Sequence, residues 1–181
     1  MTNQSNRTAV ITGAGDGIGR ALAINLNSCG IDLYLCDIDR ERLDATAGML
    51  NSDGVTVSTA VVDCGNREQI ETWAKMICAE NDSLDFLFNN AGVGYASPFR
   101  DASLESFEWL MNINYWGVVW STKAFLPLLE ASTAGHLVNI SSIFGMVGIA
   151  TQSAYNSAKF AVRGFTESLQ AEYWDSPLTV T

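Results

Sequence analysis

The segment Thr8–Leu26 (TAVITGAGDGIGRALAINL) decides the fold, because its hydrophobic pattern changes within a few residues from one kind of element to another. Thr8–Thr12 is a short run of apolar and β-branched residues, which is typical of a buried strand. A glycine-rich turn follows, and from Ile18 to Leu26 apolar residues recur at helical spacing. A strand, a tight turn and a helix in this order predict the first unit of an α/β domain.

The alternation of strands and helices continues along the chain. Further strands are predicted at Ile31–Cys36, Val55–Val62, Leu84–Phe88, His136–Ile140 and Leu178–Thr181. Further helices are predicted at Arg40–Leu50, Arg67–Ala79, Ser103–Leu129 and Tyr155–Trp174. This order predicts an α/β fold of the Rossmann type, a doubly wound parallel sheet with helices on both faces. Because no linker, repeat or change of composition occurs, residues 1–181 are predicted to form a single domain, whose sixth strand has only begun at the last residue.

Composition limits the function classes. Apolar residues make up 48% and charged residues 17%, against a usual charged share of about 25%, which predicts a large core and apolar surface covered by a second subunit. The 20 acidic and 10 basic residues give a net charge of −10, a balance that repels nucleic acid and anionic lipid. No run of about 18 apolar residues occurs, and the polar first residues lack the apolar stretch of a signal peptide. We therefore expect no nucleic-acid partner, no membrane association and a cytoplasmic location.

The 4 cysteines and the single histidine predict no metal site. Cys29, Cys36, Cys64 and Cys78 form no CxxC pair, and His136 has no second histidine with which to complete a zinc site. Buried, reduced thiols are the expectation, in agreement with a cytoplasmic protein.

The glycine-rich turn has the composition of a phosphate-binding loop. Its place between a strand and a helix brings unpaired helix N–H groups to a bound pyrophosphate. Glycine lets the backbone turn sharply and approach a phosphate without a Cβ in the way. A tight loop without a ligand is the alternative, but the strand before the turn and the helix after it favour dinucleotide binding. The residues predicted to bind are Gly13, Gly15, Asp16, Gly17, Ile18 and Gly19.

Asp37 ends the second predicted strand, near the distance of about 20 residues at which an acidic residue meets the adenosine ribose. A carboxylate there accepts hydrogen bonds from the ribose hydroxyls and repels a 2′-phosphate, so NAD is favoured over NADP. Asp16 adds to this repulsion. Arg40 favours NADP, because an arginine just beyond the strand could reach a 2′-phosphate. The alternative for Arg40 is a solvated position on the next helix.

Tyr155 and Lys159 stand at positions i and i+4 of a predicted helix and therefore lie on one face of it. A fixed cation close to a phenol favours the phenolate and brings the group into range for acid–base catalysis. The spacing is common by chance, and a surface pair is the alternative. Ser141 and Ser142 favour the catalytic interpretation, because they end the fifth predicted strand at the carboxyl edge of the sheet, where doubly wound folds hold their ligands.

Taken together, these motifs resemble those of the short-chain dehydrogenase/reductase family in its most common single-domain form, over essentially the whole chain. The matching motifs, in the family's order, are Thr12-Gly-x-x-x-Gly-x-Gly19, Asn89-Asn90-Ala91-Gly92, Asn114-x-x-Gly117, Ser142 and Tyr155-x-x-x-Lys159. The resemblance implies a nicotinamide-dependent oxidoreductase. It would transfer a hydride between the cofactor and a secondary alcohol or ketone, without a metal.

The resemblance also implies roles for the matching residues. Tyr155 is implied to be the general acid/base that exchanges a proton with the substrate oxygen. Lys159 is implied to hold the nicotinamide ribose and to favour the tyrosinate. Ser142 is implied to polarise the substrate oxygen, with Ser141 as the adjacent alternative.

Further implied roles concern the helix kink and the adenosine side of the cofactor. Asn114 is implied to keep a helix kink hydrated, so that water links Lys159 to solvent, whereas Asn112 lacks the glycine three positions later. Asp63, after the third strand, matches the residue that bonds the adenine amine. Three residues after the fourth strand are implied to line the adenosine side: Asn90, Ala91 and Gly92. An Asx-turn cap is the alternative for these positions.

The loops beside the implied site are rich in apolar residues, which favour an apolar substrate pocket, although ordinary packing explains such residues equally well. They are Gly94, Tyr95, Phe144, Met146, Val147 and Ile149. The predicted helices Ser103–Leu129 and Tyr155–Trp174 correspond to those with which family members form a four-helix dimer interface. We therefore expect a homodimer through these helices, while burial on the sheet is the alternative for their apolar residues.

The sequence departs from the family's pattern beyond Thr181. Family members usually continue through a Pro-Gly turn that contacts the nicotinamide, a substrate lid and a seventh strand, and these parts are absent from the 181 residues. Without a lid, water enters the hydride site and substrate affinity drops. The alternative function is therefore a catalytically impaired protein that binds a cofactor or a partner. The intact set of Asn114, Ser142, Tyr155 and Lys159 favours the enzyme.

Overall fold

The computed structural model describes residues 6–51 and 53–181, and within them six parallel strands form one sheet. The strands lie in the order β3-β2-β1-β4-β5-β6. They are β1 Thr8–Thr12, β2 Asp32–Asp37, β3 Val57–Val61, β4 Phe86–Asn89, β5 His136–Asn139 and β6 Thr179–Val180. The predicted Rossmann-type doubly wound sheet is therefore confirmed.

Helices cover both faces of this sheet. Within the described ranges they are α1 Gly17–Ser28, α2 Arg40–Ala47, α3 Arg67–Glu80, α4 Leu104–Met111, α5 Gly117–Ala131 and α6 Ser153–Glu172. On one face, Ala23 of α1 and Leu43 of α2 pack in a core with Leu35 of β2. On the other face, Trp73 of α3 and Phe125 of α5 pack edge to face, with ring centroids 5.7 Å apart. Alternate residues of a strand point to opposite faces of the sheet, and helices cover both faces. All but the end residues of β1 and β2 are therefore buried.

The predicted helix Ser103–Leu129 is divided in two by a π-helical turn, Asn112–Trp116, which lies where the family resemblance implied a kink at Asn114. Such a turn contains one residue more than an α-helical turn. Asn114 lies inside it and is fully buried. Apolar periodicity does not distinguish the two kinds of turn, because the residues on both sides of the π-turn still face the core at helical spacing.

Several other boundaries differ from the predictions by two or three residues. Helix α2 ends at Ala47 rather than Leu50, β3 begins at Val57, β4 begins at Phe86, and α6 begins at Ser153. These differences lie at element ends, where short-range patterns carry the least information.

The neighbouring strands β1 and β4 continue into helices on opposite faces of the sheet. This arrangement opens a crevice at the carboxyl ends of the two strands, the place where doubly wound sheets hold ligands. The glycine turn after β1 and the segment after β4 meet there. Among the helices of the described ranges, none combines the length and the apolar composition needed to cross a lipid bilayer.

Candidate active site

The glycine turn, residues 13–19, packs against the segment that follows β4. Gly13 has φ +66°, and a Cβ added there would lie 2.8 Å from the Ala91 Cα. A Cβ on Gly19 would collide with the Gly13 carbonyl oxygen. Backbone therefore packs directly on backbone at these two glycines, as a loop that closes around a phosphate requires.

The start of α1 opens on a cleft. Asp16 caps the helix by accepting a hydrogen bond from the Gly17 N–H at 2.7 Å. Nothing lies within 4 Å of a Cβ built on Gly17, and the Ile18 side chain is exposed. The first N–H groups of a helix lack intrahelical acceptors, so a ligand anion can approach the open start of α1 at Gly17 and Ile18. These residues fit the pyrophosphate of a dinucleotide.

Thr12 and Asn90 hold this loop to the end of β4. The Thr12 hydroxyl oxygen accepts hydrogen bonds from the Asn90 and Ala91 N–H groups, at 3.0 Å each. The Asn90 side-chain amide donates to the Thr12 and Gly13 carbonyl oxygens, also at 3.0 Å. Asn90 thus fixes the glycine turn with its side chain, while its neighbours Ala91 and Gly92 line the cleft with it.

Asp37 lies at the end of β2 on the same cleft. One carboxylate oxygen accepts a hydrogen bond from the Gly15 N–H at 2.8 Å, and the other accepts one from the Asp39 N–H at 3.0 Å. A carboxylate oxygen has a second lone pair, so both can still accept from ribose hydroxyls. Gly15 is required here, because a Cβ at this position would lie 2.8 Å from the Asp37 carboxylate.

Arg42 is the basic residue that the sequence analysis missed at this cleft. Its guanidinium lies 3.4 Å from the Asp16 carboxylate and 3.2 Å from the Asp39 carboxylate. Arg40 instead forms an exposed ion pair with Asp44 at 3.5 Å and is not among the described residues that line the cleft. Residues two positions apart lie on opposite sides of a helix, so α2 presents only one of the two arginines to the cleft.

Asp63 is both an Asx-turn cap and a cavity residue. Its carboxylate accepts a hydrogen bond from the Gly65 N–H at 2.8 Å, and it lines a cavity of about 200 Å³ together with Asp37 and Cys64.

The thiols of Cys36 and Cys64 lie next to each other in the core. Burial and the adjacent Cys64 thiol raise the pKa of Cys36. The expectation of buried thiols is correct for Cys36 and Cys64 but wrong for Cys29, which is exposed.

Lys159 is almost completely buried beside Tyr155. Its ammonium donates a hydrogen bond to the Ile140 carbonyl oxygen at 2.7 Å and lies 5.7 Å from the centroid of the Tyr155 ring. Burial lowers the pKa of Lys159 from 10.5 to about 8. A cation therefore lies close to the phenol without a carboxylate partner in the described part of the chain.

The two serines at the end of β5 make different contacts. The Ser141 hydroxyl donates to the Lys159 carbonyl oxygen at 3.1 Å. The Ser142 hydroxyl oxygen accepts from the Phe144 N–H at 3.2 Å and caps a short 3₁₀ turn. The Phe144 ring meets the Tyr155 ring edge to face, at 5.7 Å between centroids. Within the described residues the Ser142 hydroxyl thus accepts a hydrogen bond and donates none, whereas Ser141 uses its proton within the fold.

Asn156 is a second residue that the sequence analysis missed. Its buried side-chain amide donates to the carbonyl oxygens of Phe144 at 2.6 Å and Val147 at 2.7 Å, and accepts from the Ile149 N–H at 3.0 Å. It therefore attaches the loop after Ser142 to the helix that carries Tyr155. An asparagine inside a predicted helix was the available signal, since this residue is unfavourable there unless its side chain is used.

The turn Asn112–Trp116 places Asn114 against the segment after β4. The Asn114 amide donates to the Val93 carbonyl oxygen at 2.8 Å and accepts from the Val93 N–H at 2.7 Å, while Asn112 is exposed. A Cβ on Gly92 would lie 3.2 Å from the Asn114 amide oxygen. Asn114 thus connects the helix to the cleft wall.

The apolar loop residues are divided between surface and core. Tyr95 packs against a buried cluster that includes Leu110 and Ala158. The loop after Ser142 instead exposes several large apolar side chains: Ile143, Met146, Val147 and Ile149. An exposed apolar patch beside a polar site is typical of a surface that binds an apolar ligand or partner.

Comparison with known proteins identifies relatives over nearly the whole chain. The family model of short chain dehydrogenases matches residues 7–181. The protein SadH of Mycobacterium tuberculosis is 43% identical over 172 residues, which cover 95% of this chain and 62% of SadH. Human estradiol 17-beta-dehydrogenase 11 is 40% identical over 163 residues, which cover 90% of this chain and 54% of that enzyme.

Solved structures share the fold. A short chain dehydrogenase/reductase from Burkholderia phymatum in complex with NAD superimposes with a TM-score of 0.90 at 31% identity, over 99% of this chain and 65% of that one. A metagenomic short-chain oxidoreductase in complex with NADP gives a TM-score of 0.90 at 30% identity, over 96% of this chain and 79% of that one.

This chain spans about three fifths of the length of SadH and about half of the length of human estradiol 17-beta-dehydrogenase 11. Because the family model matches from Arg7 to the last residue and the solved relatives share the fold, the chain belongs to the short-chain dehydrogenase family of oxidoreductases.

Proposed function

We propose that this chain carries the cofactor-binding and proton-transfer residues of a dehydrogenase or reductase that interconverts a secondary alcohol and a ketone. The observation that carries the proposal is the buried Lys159 ammonium, 5.7 Å from the Tyr155 ring and without a carboxylate partner within the described ranges. A buried cation in this position favours the phenolate of its neighbour. A bound nicotinamide dinucleotide would supply or accept the hydride.

The residues of the chain have distinct proposed roles. Tyr155 gives a proton to the substrate oxygen during ketone reduction and takes it back during alcohol oxidation. Ser142 donates a hydrogen bond to the same oxygen and stabilises the charge that develops on it. Lys159 holds the nicotinamide ribose and favours the phenolate, and Asn114 belongs to a water path between Lys159 and solvent.

We propose NAD rather than NADP as the cofactor. The Asp37 carboxylate lines the cleft, and beside the adenosine ribose of a bound dinucleotide it would repel a 2′-phosphate. The pyrophosphate would lie on the glycine turn from Gly13 to Gly19, and the adenine near Asp63 and the segment Asn90–Gly92. Among the solved structures compared above, one contains NAD and another NADP, so the neighbours support the nicotinamide class and not this choice.

The substrate is proposed to be an apolar alcohol or ketone. The support is the exposed apolar side chains after Ser142, together with the relative named as an estradiol 17-beta-dehydrogenase.

A homodimer through α4, α5 and α6 and a cytoplasmic location stay predictions.

The decisive experiment measures NADH formation with a panel of apolar secondary alcohols, for the chain and for Tyr155→Phe. We expect the variant to lose about 10²- to 10⁴-fold in kcat/KM, the usual contribution of general acid–base catalysis. NADH affinity, followed by fluorescence titration, should fall far less than turnover, because the contacts predicted for the glycine turn, Asp37 and Asp63 are unchanged in the variant. Equal turnover in both proteins would refute the role of Tyr155. Tight NADH binding without turnover of any alcohol or ketone would favour a cofactor-binding protein with impaired catalysis.

A further inference from the structure

The loop of residues 143–151 connects the two residues that are proposed to contact the substrate oxygen. It begins directly after Ser142, and the helix that follows it, α6, carries Tyr155. The 3₁₀ turn at the start of the loop rests on the backbone of α6, since a Cβ added to Gly145 would lie 2.7 Å from the Lys159 carbonyl oxygen. The position of the Ser142 hydroxyl relative to the Tyr155 phenol therefore depends on how this loop is attached to the helix.

Asn156 attaches the loop to α6 with one buried side chain, which is 8% exposed. Its amide nitrogen donates to the Phe144 carbonyl oxygen at 2.6 Å and to the Val147 carbonyl oxygen at 2.7 Å. Its amide oxygen accepts from the Ile149 N–H at 3.0 Å. Both N–H donors of the amide are thus used, and they hold the beginning and the middle of the loop, while the oxygen holds its end.

The first of these bonds leads to Ser142 through a single residue. The Phe144 N–H donates to the Ser142 hydroxyl oxygen at 3.2 Å, while the Phe144 carbonyl oxygen accepts from Asn156. The Phe144 ring also meets the Tyr155 ring edge to face. The Asn156 amide therefore fixes the residue that bonds to the Ser142 hydroxyl and contacts Tyr155.

The last residue of the loop has a strained backbone. Thr151 has φ +68°, in the left-handed region that β-branched residues rarely adopt. Its carbonyl oxygen accepts from the Ser97 N–H at 2.8 Å, which connects the loop to the segment after β4. Strain of this kind persists only where surrounding contacts fix the backbone, and the three bonds of Asn156 are contacts of this kind.

We propose that Asn156 is a positioning residue that holds the Ser142 hydroxyl in its place relative to Tyr155, an inference that rests on the proposed function. The side chain acts through Phe144 and not on the substrate. The substrate oxygen must meet Ser142 and Tyr155 at the same time, and a displacement of about 1 Å in a site can lower the rate by about 10²-fold. Without Asn156 the loop detaches from α6, the strain at Thr151 relaxes, and Ser142 moves away from Tyr155.

Asn156→Ala removes the three bonds and leaves Ser142 and Tyr155 unchanged. We expect kcat for a secondary alcohol to fall by about 10- to 100-fold, while the NADH dissociation constant changes by less than about twofold. Rates are calculated per folded molecule, counted by NADH titration, so that a loss of folded protein does not imitate the effect. Ser157→Ala is the matched control, because Ser157 is exposed on the same helix, and its kcat should equal that of the parent.

If Asn156→Ala does not fold, Asn156→Asp takes its place. Aspartate has nearly the same shape and keeps the acceptor for the Ile149 N–H, but it donates at most one of the two bonds to the loop carbonyl oxygens. It should lower kcat in the same direction. A kcat equal to that of the parent in the folded variant would overturn the inference.

The double variant Ser142→Ala/Asn156→Ala tests whether Asn156 acts through Ser142. Ser142→Ala already lacks the hydroxyl that Asn156 is proposed to position, so the second substitution should lower kcat by no more than about two- to threefold further. Independent effects would multiply instead. The full loss of Asn156→Ala, repeated in the Ser142→Ala background, would show that Asn156 has a general structural role and that the inference is wrong.

Hydrogen exchange separates the inference from the proposed function, because it needs no turnover. In Asn156→Ala, exchange at the Phe144 and Ile149 amides should accelerate by about tenfold or more, whereas Ser157→Ala should leave it unchanged. If the parent chain turns over no secondary alcohol or ketone, the proposed function fails. Faster exchange at Phe144 would then still support the positioning of Ser142 by Asn156, and unchanged exchange there would overturn it.

Discussion

At the scale of one residue, burial of the Lys159 ammonium lowers the stability of the fold. Its ordinary pKa of 10.5 is lowered to about 8 because the ammonium is removed from water. The hydrogen bond to Ile140 compensates only part of that loss. A shift of this size corresponds to a cost of about 3 kcal/mol in the free energy of unfolding at neutral pH. The cation is retained, we infer, because the chemistry of Tyr155 needs it.

Replacing Lys159 with methionine should therefore stabilise the fold near pH 7. Between pH 8 and 10.5 the unfolded chain holds a proton on Lys159 that the folded chain has lost, so the parent becomes more stable as the pH rises through this window. Below pH 8 the penalty is fully present. We expect Lys159→Met to be more stable by about 1–3 kcal/mol at pH 7, with the advantage shrinking toward pH 10.

The test is urea unfolding of both proteins at pH 7 and pH 10, with turnover measured in parallel. It shows whether Lys159 lowers stability while it supports activity. The variant should gain stability and lose activity at pH 7. A loss of stability of equal size at both pH values would mean that the bond to Ile140 outweighs the cost of burial.

At the scale of elements, the π-turn between α4 and α5 connects a helix to the wall of the cleft. The extra residue in this turn lets the Asn114 amide bond to both backbone groups of Val93. An uninterrupted α-helix would rotate the residues after this point and break the register with Val93. The turn therefore positions the segment after β4, which lines the cleft beside the glycine turn and leads to the apolar loops.

Asn114→Ala should destabilise the fold by about 1–3 kcal/mol, because the buried Asn114 amide gives up both of its hydrogen bonds to the half-buried backbone of Val93. Asn112→Ala is the matched control, since Asn112 lies in the same turn but is exposed, and it should cost no more than about 0.5 kcal/mol. Chemical denaturation gives both values, and hydrogen exchange at the Val93 amide should accelerate only in Asn114→Ala. Similar stabilities for the two variants would contradict this role.

At the scale of the whole molecule, the helices on one side of the sheet expose large aromatic side chains. Trp109, Trp116 and Phe160 of α4, the π-turn and α6 are each between 43% and 47% exposed. Charged residues are few in this chain, and apolar surface of this kind is usually covered by a partner. A second copy of the chain on these helices explains both observations.

We expect the chain to sediment as a dimer at micromolar concentration. Trp116→Glu and Phe160→Glu should each shift it to a monomer without changing its circular dichroism, because a charge buried at an interface is costly. Trp174→Glu provides the control, since Trp174 follows α6 and is 88% exposed. A monomeric parent chain, or dissociation by the control substitution as well, would rule out this interface.

The sequence by itself determined the order of the elements and the composition of the cleft. The strands and helices could be predicted because the spacing of apolar residues that indicates each element lies within a few neighbouring residues. Thr8–Leu26 contains the change from the spacing of a strand to that of a helix. Local spacing also allowed the candidate site residues to be predicted, among them the glycine turn, Asp37, Tyr155 and Lys159. Each of these motifs is recognised by the spacing of its residues within one element or across one strand-turn-helix unit.

Only the tertiary structure decided how each element is rotated and what each side chain touches. It selected Arg42 over Arg40 for the cleft, used the Ser141 hydroxyl within the fold, and revealed Asn156 as the anchor of the loop after Ser142. It also showed that the kink implied at Asn114 is a π-turn. These choices depend on contacts between residues distant in the chain, which local periodicity and spacing do not encode.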